Sequence, residues 1–100
     1  MNMQKLMQEA QKMQMQLQKD QKELEDTVYE GTSSMVTVKM NGKYEVQEVK
    51  INNEGEDLTS EDVSMLEDMV MVAMNEAVKK IAADKEKKLG KYGQGLAGLM

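Results

Sequence analysis

The side chains best placed for chemistry in this sequence are lysines that recur at every seventh position near the amino terminus. Lys5, Lys12 and Lys19 stand among glutamines and methionines, and the stretch from Lys5 to Lys19 holds a single acid, Glu9. A helix would place the three ammonium groups on one face, about 10.5 Å apart. Such a row could contact successive phosphates of a nucleic-acid backbone. It could also be the solvated face of a coiled coil, which the spacing alone favours.

Composition excludes most other site chemistry. The chain has no Cys and no His, so thiol nucleophiles, imidazole bases and the usual zinc ligands are missing. All 13 basic residues are Lys, which removes the arginine fork that reads guanine. A calcium loop around Gly55 fails because Lys50 would occupy the position of its first carboxylate. We predict a protein without catalysis, metal, cofactor or small-molecule substrate.

The hydropathy pattern argues against a membrane partner. The longest uninterrupted apolar run, Met69 to Met74, is far shorter than the ~20 residues that span a bilayer. The amino-terminal stretch is polar and lacks the apolar core of a secretory signal. We therefore expect a cytoplasmic protein.

Charge is unevenly distributed along the chain, whose net charge is −5. Residues 54–68 hold seven acids and no lysine, whereas residues 69–100 hold six lysines and three acids. A protein whose surface charge is divided in this way can bind anions at one place and repel them at another.

The first segment is typical of one long helix over residues 2–26. With Met3 at heptad position a, an apolar seam follows positions a and d and is interrupted at Asp20. The outward positions b, c and f carry Lys22 beside the lysine row, together with Gln8 and Gln11.

Three antiparallel strands are predicted next, at about residues 27–31, 35–40 and 43–52. A three-residue loop at Met40 to Gly42 would pair Val36 with Val46 and Val38 with Tyr44. The apolar positions then change from even to odd numbers, which indicates a β-bulge near residues 47 and 48.

An acidic loop over residues 53–59 precedes a second helix, predicted over residues 60–89. Thr59 is the expected N-cap with Asp62 three residues later, and Gly90 should end the helix before a mobile tail over residues 90–100. The helix is so apolar that we expect it to contact both the sheet and a second copy of the chain. The positions expected at that dimer interface are Leu66, Met69, Val70, Ala73, Met74 and Ala77.

Four stretches of the chain occur together in a distinctive order. They are the Gln/Met-rich first helix, the strand pair with its "NG" turn, "LEDMVMVAMNEAVKKI" from Leu66 to Ile81, and the ending "GKYGQGLAGL". In this order they resemble the YbaB/EbfC family of bacterial nucleoid-associated proteins. The resemblance covers nearly the whole chain. It implies a homodimer of α-β-β-β-α subunits whose helices project like tweezers, and a DNA-binding role in organising the chromosome.

The combined prediction is a single α+β domain over residues 1–100 that binds DNA in the nucleoid with little sequence preference. Lysines near the end of the second helix join the first-helix face, although helix-end electrostatics explains some of them. The predicted DNA-binding residues are Lys5, Lys12, Lys19, Lys22, Gln8, Gln11, Lys80, Lys87, Lys88 and Lys91. The alternative is a structural or adaptor protein whose arms grip protein partners.

Overall fold

The computed structural model describes residues 2–97 and confirms the predicted order of helix, three strands and helix. The elements are α1 (Met3–Asp26), β1 (Val28–Ser33), β2 (Val36–Asn41), β3 (Val46–Ile51) and α2 (Ser60–Ala97). The three strands form one antiparallel sheet in the order β1-β2-β3.

Helix α1 forms where the sequence has no β-branched residue and many strong helix formers. Its N-cap is Asn2, whose side-chain oxygen accepts from the Lys5 amide at 3.2 Å. The helix stops at Thr27, which is extended, and the Thr27 hydroxyl donates back to the Glu23 carbonyl at 2.6 Å. These contacts satisfy backbone groups that a helix end leaves free.

Strands β2 and β3 pair in a different register from the one predicted. Val36 pairs with Ile51 and Val38 with Val49, so the predicted pairings of Val36 with Val46 and Val38 with Tyr44 are wrong. The connection is longer than predicted because Asn41 organises it. Its side-chain oxygen accepts from the amides of residues 43 and 45, at 2.9 and 3.1 Å.

The predicted β-bulge is confirmed. Lys39 pairs with Glu48 and Met40 with Val46, which leaves Gln47 as the extra residue on β3. The bulge brings Val46 onto the same face of the sheet as Val49 and Ile51, because paired residues in an antiparallel sheet share a face.

Helix α2 begins as predicted and ends later than predicted. The Thr59 amide donates to the Asp62 carboxylate at 2.8 Å, and the Asp62 amide donates to the Thr59 hydroxyl at 3.2 Å, which is a capping box. The helix passes through Gly90 to Ala97, so the predicted end at Leu89 is wrong. Packing of Tyr92 outweighs the weak helix propensity of glycine, since Tyr92 is only 6% exposed. The mobile tail was predicted over residues 90–100. Residues 90–97 belong to α2 instead, and residues 98–100 lie outside the described residues.

The core lies between α2 and the first two strands. Its fully buried side chains are Val36, Val38 and Met40 from β2 and Ala73, Ala77 and Ile81 from α2. Gly31 permits the close approach, because a Cβ there would lie 2.0 Å from the Ala73 carbonyl oxygen. Strand β3 is left uncovered, and every one of its residues is exposed.

The molecule is elongated, with principal extents of 72 × 21 × 15 Å. The N-cap Asn2 and the helical residues 3–16, together called the arm below, are all exposed. The acidic loop lies at the opposite end of the sheet from α1. β1 leaves α1 at the end where Val28 pairs with Asn41, whereas the loop follows Ile51, which pairs with Val36 at the other end.

Candidate nucleic-acid interface

The base of α1 is fixed to the rest of the chain by its last two turns. Leu24 is buried with Tyr29, Met40, Ala77 and Ile81. The backbone of Gly42 lies against it, since a Cβ at that position would lie 1.9 Å from the Leu24 carbonyl oxygen. One turn nearer the amino terminus, Asp20 contacts α2. Beyond Leu17 the arm projects into solvent.

The outward side of α1 carries a row of four lysines, Lys5, Lys12, Lys19 and Lys22. All four side chains are exposed, and within residues 2–97 no carboxylate lies within 4 Å of any of their ammonium groups. Lys22 points away from α2, because residues two positions apart on a helix differ by about 200° in direction and Asp20 faces α2. Gln8 and Gln11 are exposed as well. This lysine face consists of Lys5, Lys12, Lys19 and Lys22.

The lysines of α2 are arranged differently, because three of those singled out from the sequence have partners within the chain. Lys80 lies 3.4 Å from the Glu76 carboxylate and donates to the Glu30 carbonyl at 2.7 Å. Lys88 donates to Asp84 at 2.9 Å, which raises the pKa of Lys88. Lys91 lies 3.4 Å from the Asp20 carboxylate.

Lys87 is the exception among these α2 lysines. It is exposed, and within the described part of the chain it has no ion pair. Of the predicted α2 positions, it alone resembles the lysine face of α1 in having a free cationic group.

The carboxylates of the acidic loop, residues 53–59, are remote from the arm. Glu54 and Glu56 border a shallow depression with Ser34 at the far end of the sheet. Six-residue strands are about 20 Å long, so the start of the acidic loop and the base of α1 lie about this far apart. The acidic loop is thus separated from the lysine face by the length of the sheet, although α1 itself carries five acids between Glu9 and Asp26.

Two polar contacts at the base of α1 and on β1 were not predicted from the sequence. The Tyr92 hydroxyl donates to Asp20 at 2.7 Å, and this bond, assisted by Gln16 and Lys91, holds the pKa of Asp20 below its usual value. The Tyr29 hydroxyl donates to Asp84. The sequence showed that Asp20 interrupts the apolar seam, but nothing in it indicated that Tyr92, 72 residues later, would be its partner.

Desolvation and the Asp84 carboxylate raise the pKa of Tyr29 to about 12. Asp84 itself has a lowered pKa, because it accepts from Tyr29 and from Lys88. The contacts of Asp84 with Tyr29 and Lys88 therefore stabilise the junction between the sheet and α2. They include no lysine of the lysine face.

The α2 positions predicted for a dimer interface fall into two groups. Leu66, Met69, Val70 and Met74 are half-buried against Val36, Val38 and Ala73. Ala73 and Ala77 are fully buried by the chain's own sheet and have no surface left for a partner. Exposed apolar residues outside the predicted interface lie on β3, where Val46, Val49 and Ile51 are 43–47% exposed. Others lie on α2, where Val63, Met65, Met71 and Val72 are 48–56% exposed.

Within the described residues, no helix is long and apolar enough to cross a membrane, and no three His, Cys, Asp or Glu residues are grouped to hold a metal ion.

Comparison with known proteins gives a consistent result over the whole chain. The sequence profile described as the YbaB/EbfC DNA-binding family matches residues 1–96. A nucleoid-associated protein of Chloroflexus aurantiacus is 46% identical over 101 aligned residues, which cover 99% of both chains. One from Ligilactobacillus salivarius is 40% identical, over 99% of this chain and 95% of the relative.

The fold also has a counterpart among solved structures. The crystal structure of an uncharacterized protein from Helicobacter pylori superposes with a TM-score of 0.67 and covers 87% of this chain and 91% of its own. The two sequences are 21% identical, so the likeness concerns the fold.

Proposed function

Because the chain belongs to the YbaB/EbfC DNA-binding family, we propose that it is a nucleoid protein that binds DNA through the lysine face of α1. The observation that carries the proposal is the distance between the lysine face and the acidic loop. Within residues 2–97, four ammonium groups without an ion pair lie along one side of α1, and the acidic loop begins at the far end of the sheet. A chain of net charge −5 can bind a polyanion if its cations meet the phosphates and its carboxylates do not.

The lysine face suits phosphates better than bases. Lysine is a point charge on a flexible stem and reads no base edge by itself, so its contacts position a protein without selecting a sequence. Exposed amides such as Gln8 and Gln11 can donate to neighbouring phosphate or sugar oxygens. Binding is therefore tolerant of sequence. Among the α2 lysines, Lys87 is free to contribute, whereas Lys80, Lys88 and Lys91 would first have to leave their partners.

The protein acts as a homodimer in this proposal. Val46, Val49 and Ile51 share a sheet face with the buried residues of β2, yet α2 leaves them exposed. A second copy that covers β3 would remove this apolar surface from water, at about 25 cal/mol for each Å² buried. The half-buried Leu66, Met69, Val70 and Met74 border the same face. Dimerisation doubles the number of lysine faces that one DNA molecule can meet.

A salt series tests the proposal. If about six phosphates are contacted per dimer, the logarithm of affinity should fall against the logarithm of salt with a slope of about −5, and binding should be roughly micromolar at physiological salt. The measurement is fluorescence anisotropy of a labelled random-sequence duplex. Absence of binding at low salt, or a slope near zero, would exclude the lysine face as a phosphate-binding surface.

The exposed apolar residues of the arm favour a second candidate function, an adaptor that grips protein partners. Met3, Leu6, Met7 and Met13 are 48–67% exposed. A partner held by these side chains should stay bound at salt concentrations that release a phosphate-bound complex, because salt screens charges and leaves apolar contacts intact. The same salt series therefore separates the two functions.

A further inference from the structure

A polar cluster joins α1 to α2 at the base of the arm. Asp20 accepts three contacts: from the Tyr92 hydroxyl at 2.7 Å, from the Gln16 amide at 2.9 Å, and from the Lys91 ammonium group at 3.4 Å. The Asp20 side chain is 14% exposed. The carboxylate is thus held by groups on both helices.

The cluster stands where it can set the direction of the arm. Leu24 packs into the core and the Gly42 amide donates to the Glu25 carbonyl at 3.3 Å, so these contacts hold the carboxyl-terminal turn of α1. A helix held only at one end can pivot about that end. Asp20 is one turn away, about 6 Å along the axis. Two contacts separated along an axis fix its direction. The residues of the arm, 2–16, are all exposed, so direction must be set at the base.

The length of the arm makes this direction important. Lys5 lies fifteen residues from Asp20, which is about 22 Å along a helix. A swing of about 10° at the base would therefore displace Lys5 by about 4 Å. A displacement of this size exceeds the range of a hydrogen bond between an ammonium group and a phosphate oxygen, which is about 3 Å long.

We propose that Asp20 and Tyr92 are positioning residues, which hold the arm in one direction so that the lysine face can meet successive phosphates. The effect on DNA rests on the proposed function, whereas the effect on arm direction does not. Lys91 belongs to this cluster in the proposal, and its charge balances Asp20 instead of meeting DNA. Asp20 then adds little repulsion close to the phosphates bound by Lys19 and Lys22.

The test compares arm direction and DNA binding in the same variants. The chain has no Cys, so Gln4→Cys and Thr32→Cys introduce two unique sites for nitroxide labels, one on the arm and one on β1. Labelled chain is mixed with excess unlabelled chain, so that a dimer carries labels on one copy only. Electron-electron double resonance then gives the distribution of distances between arm and sheet.

Tyr92→Phe removes the hydroxyl and Asp20→Asn removes the charge, and neither touches the lysine face. Both variants should broaden the distance distribution. Tyr92→Phe changes no charge, so it should weaken DNA binding roughly three- to tenfold with the salt slope kept. Asp20→Asn also releases Lys91 and removes a negative charge, which offsets part of the loss, so affinity is compared in Tyr92→Phe. Tyr44→Phe is the matched control, since it removes a tyrosine hydroxyl that is exposed, and it should change neither measurement.

The outcomes separate the two proposals. An unchanged distance distribution in both Tyr92→Phe and Asp20→Asn would overturn the positioning role. A broader distribution with unchanged affinity in Tyr92→Phe would overturn the link from arm direction to DNA. If the parent protein fails to bind DNA at low salt, the proposed function fails, while the distance measurement still decides whether the cluster fixes the arm.

Discussion

Gly31 on β1 lies so close to α2 that a Cβ on residue 31 would stand 2.0 Å from the carbonyl oxygen of Ala73. The same Cβ would stand 2.7 Å from the backbone nitrogen of Ala77. Both neighbours are backbone atoms, which cannot rotate away as a side chain can. Only glycine therefore fits at residue 31, and this backbone contact sets the distance between α2 and the sheet.

Gly31→Ala should destabilise the fold strongly. The helix would have to move off β1 and expose the apolar residues beneath it, which we expect to lower the free energy of unfolding by about 3 kcal/mol. Urea denaturation followed by circular dichroism measures the change. A loss below about 0.5 kcal/mol would show that α2 is not seated against Gly31.

Gly90→Ala tests the corrected end of α2. Gly90 lies inside the helix, and a Cβ there would meet only the flexible Glu86 side chain at 3.0 Å or more. Alanine should therefore raise the free energy of unfolding by about 0.5–1 kcal/mol and increase helical circular dichroism. If Gly90 capped the helix after Leu89 in solution, as the sequence suggested, alanine would be unfavourable in the left-handed cap conformation and would lower the free energy of unfolding.

The correct and incorrect parts of the sequence prediction differ in how local their causes are. The helix starts, the capping box of Thr59 and Asp62 and the bulge at Gln47 depend on residues a few positions apart, and they were predicted. The end of α2 depends on Tyr92 meeting Asp20 across 72 positions, which a periodicity cannot reveal. The hairpin register was wrong because the Asn41 side chain holds a longer loop than the "NG" turn rule expects.

The candidate site was predictable to a similar degree. A helical wheel identifies which lysines share a face of α1, since that depends only on spacing. It cannot identify which lysines have partners, and Lys80, Lys88 and Lys91 are engaged by acids or by a carbonyl of the same chain. Ala73 and Ala77 were expected at the dimer interface because small apolar residues on a stripe do not reveal which surface covers them.

Val49→Asp should dissociate the proposed homodimer. The substitution would place a carboxylate in the centre of the apolar face of β3, where burial without a partner is strongly unfavourable. Sedimentation equilibrium should give the mass of one chain for the variant and of two chains for the parent. Thr32→Asp introduces the same group at an exposed position on β1 and should leave the dimer intact. A dimeric Val49→Asp variant would place the interface elsewhere.

Tyr29→Phe should lower the free energy of unfolding by about 1.5 kcal/mol at neutral pH, since it removes a hydrogen bond to a charged carboxylate from a residue 9% exposed. The Tyr29 hydroxyl, with Lys88, depresses the pKa of Asp84. A depressed carboxyl pKa stabilises the folded state fully above its ordinary value of about 4, and this stabilisation disappears as pH falls through the lowered value.

The difference between the parent and Tyr29→Phe should therefore shrink as Asp84 becomes protonated in acid. Urea denaturation at pH 7 and at successively lower pH measures it. A difference that stays constant down to the lowest pH at which both proteins fold would mean that the hydroxyl does not act through the Asp84 carboxylate.

Charge reversal on the lysine face, with a matched control elsewhere on the chain, decides whether this face of α1 holds DNA. Lys5→Glu, Lys12→Glu and Lys19→Glu together change the net charge by the same amount as Lys43→Glu, Lys50→Glu and Lys79→Glu, three exposed lysines outside the face. At 0.15 M salt, charges more than about 8 Å apart are largely screened, so position should matter more than net charge. Anisotropy with a random-sequence duplex should show no binding by the first variant and near-parental binding by the second. Equal loss in both variants, or parental binding by the first, would mean that the lysine face of α1 does not hold DNA.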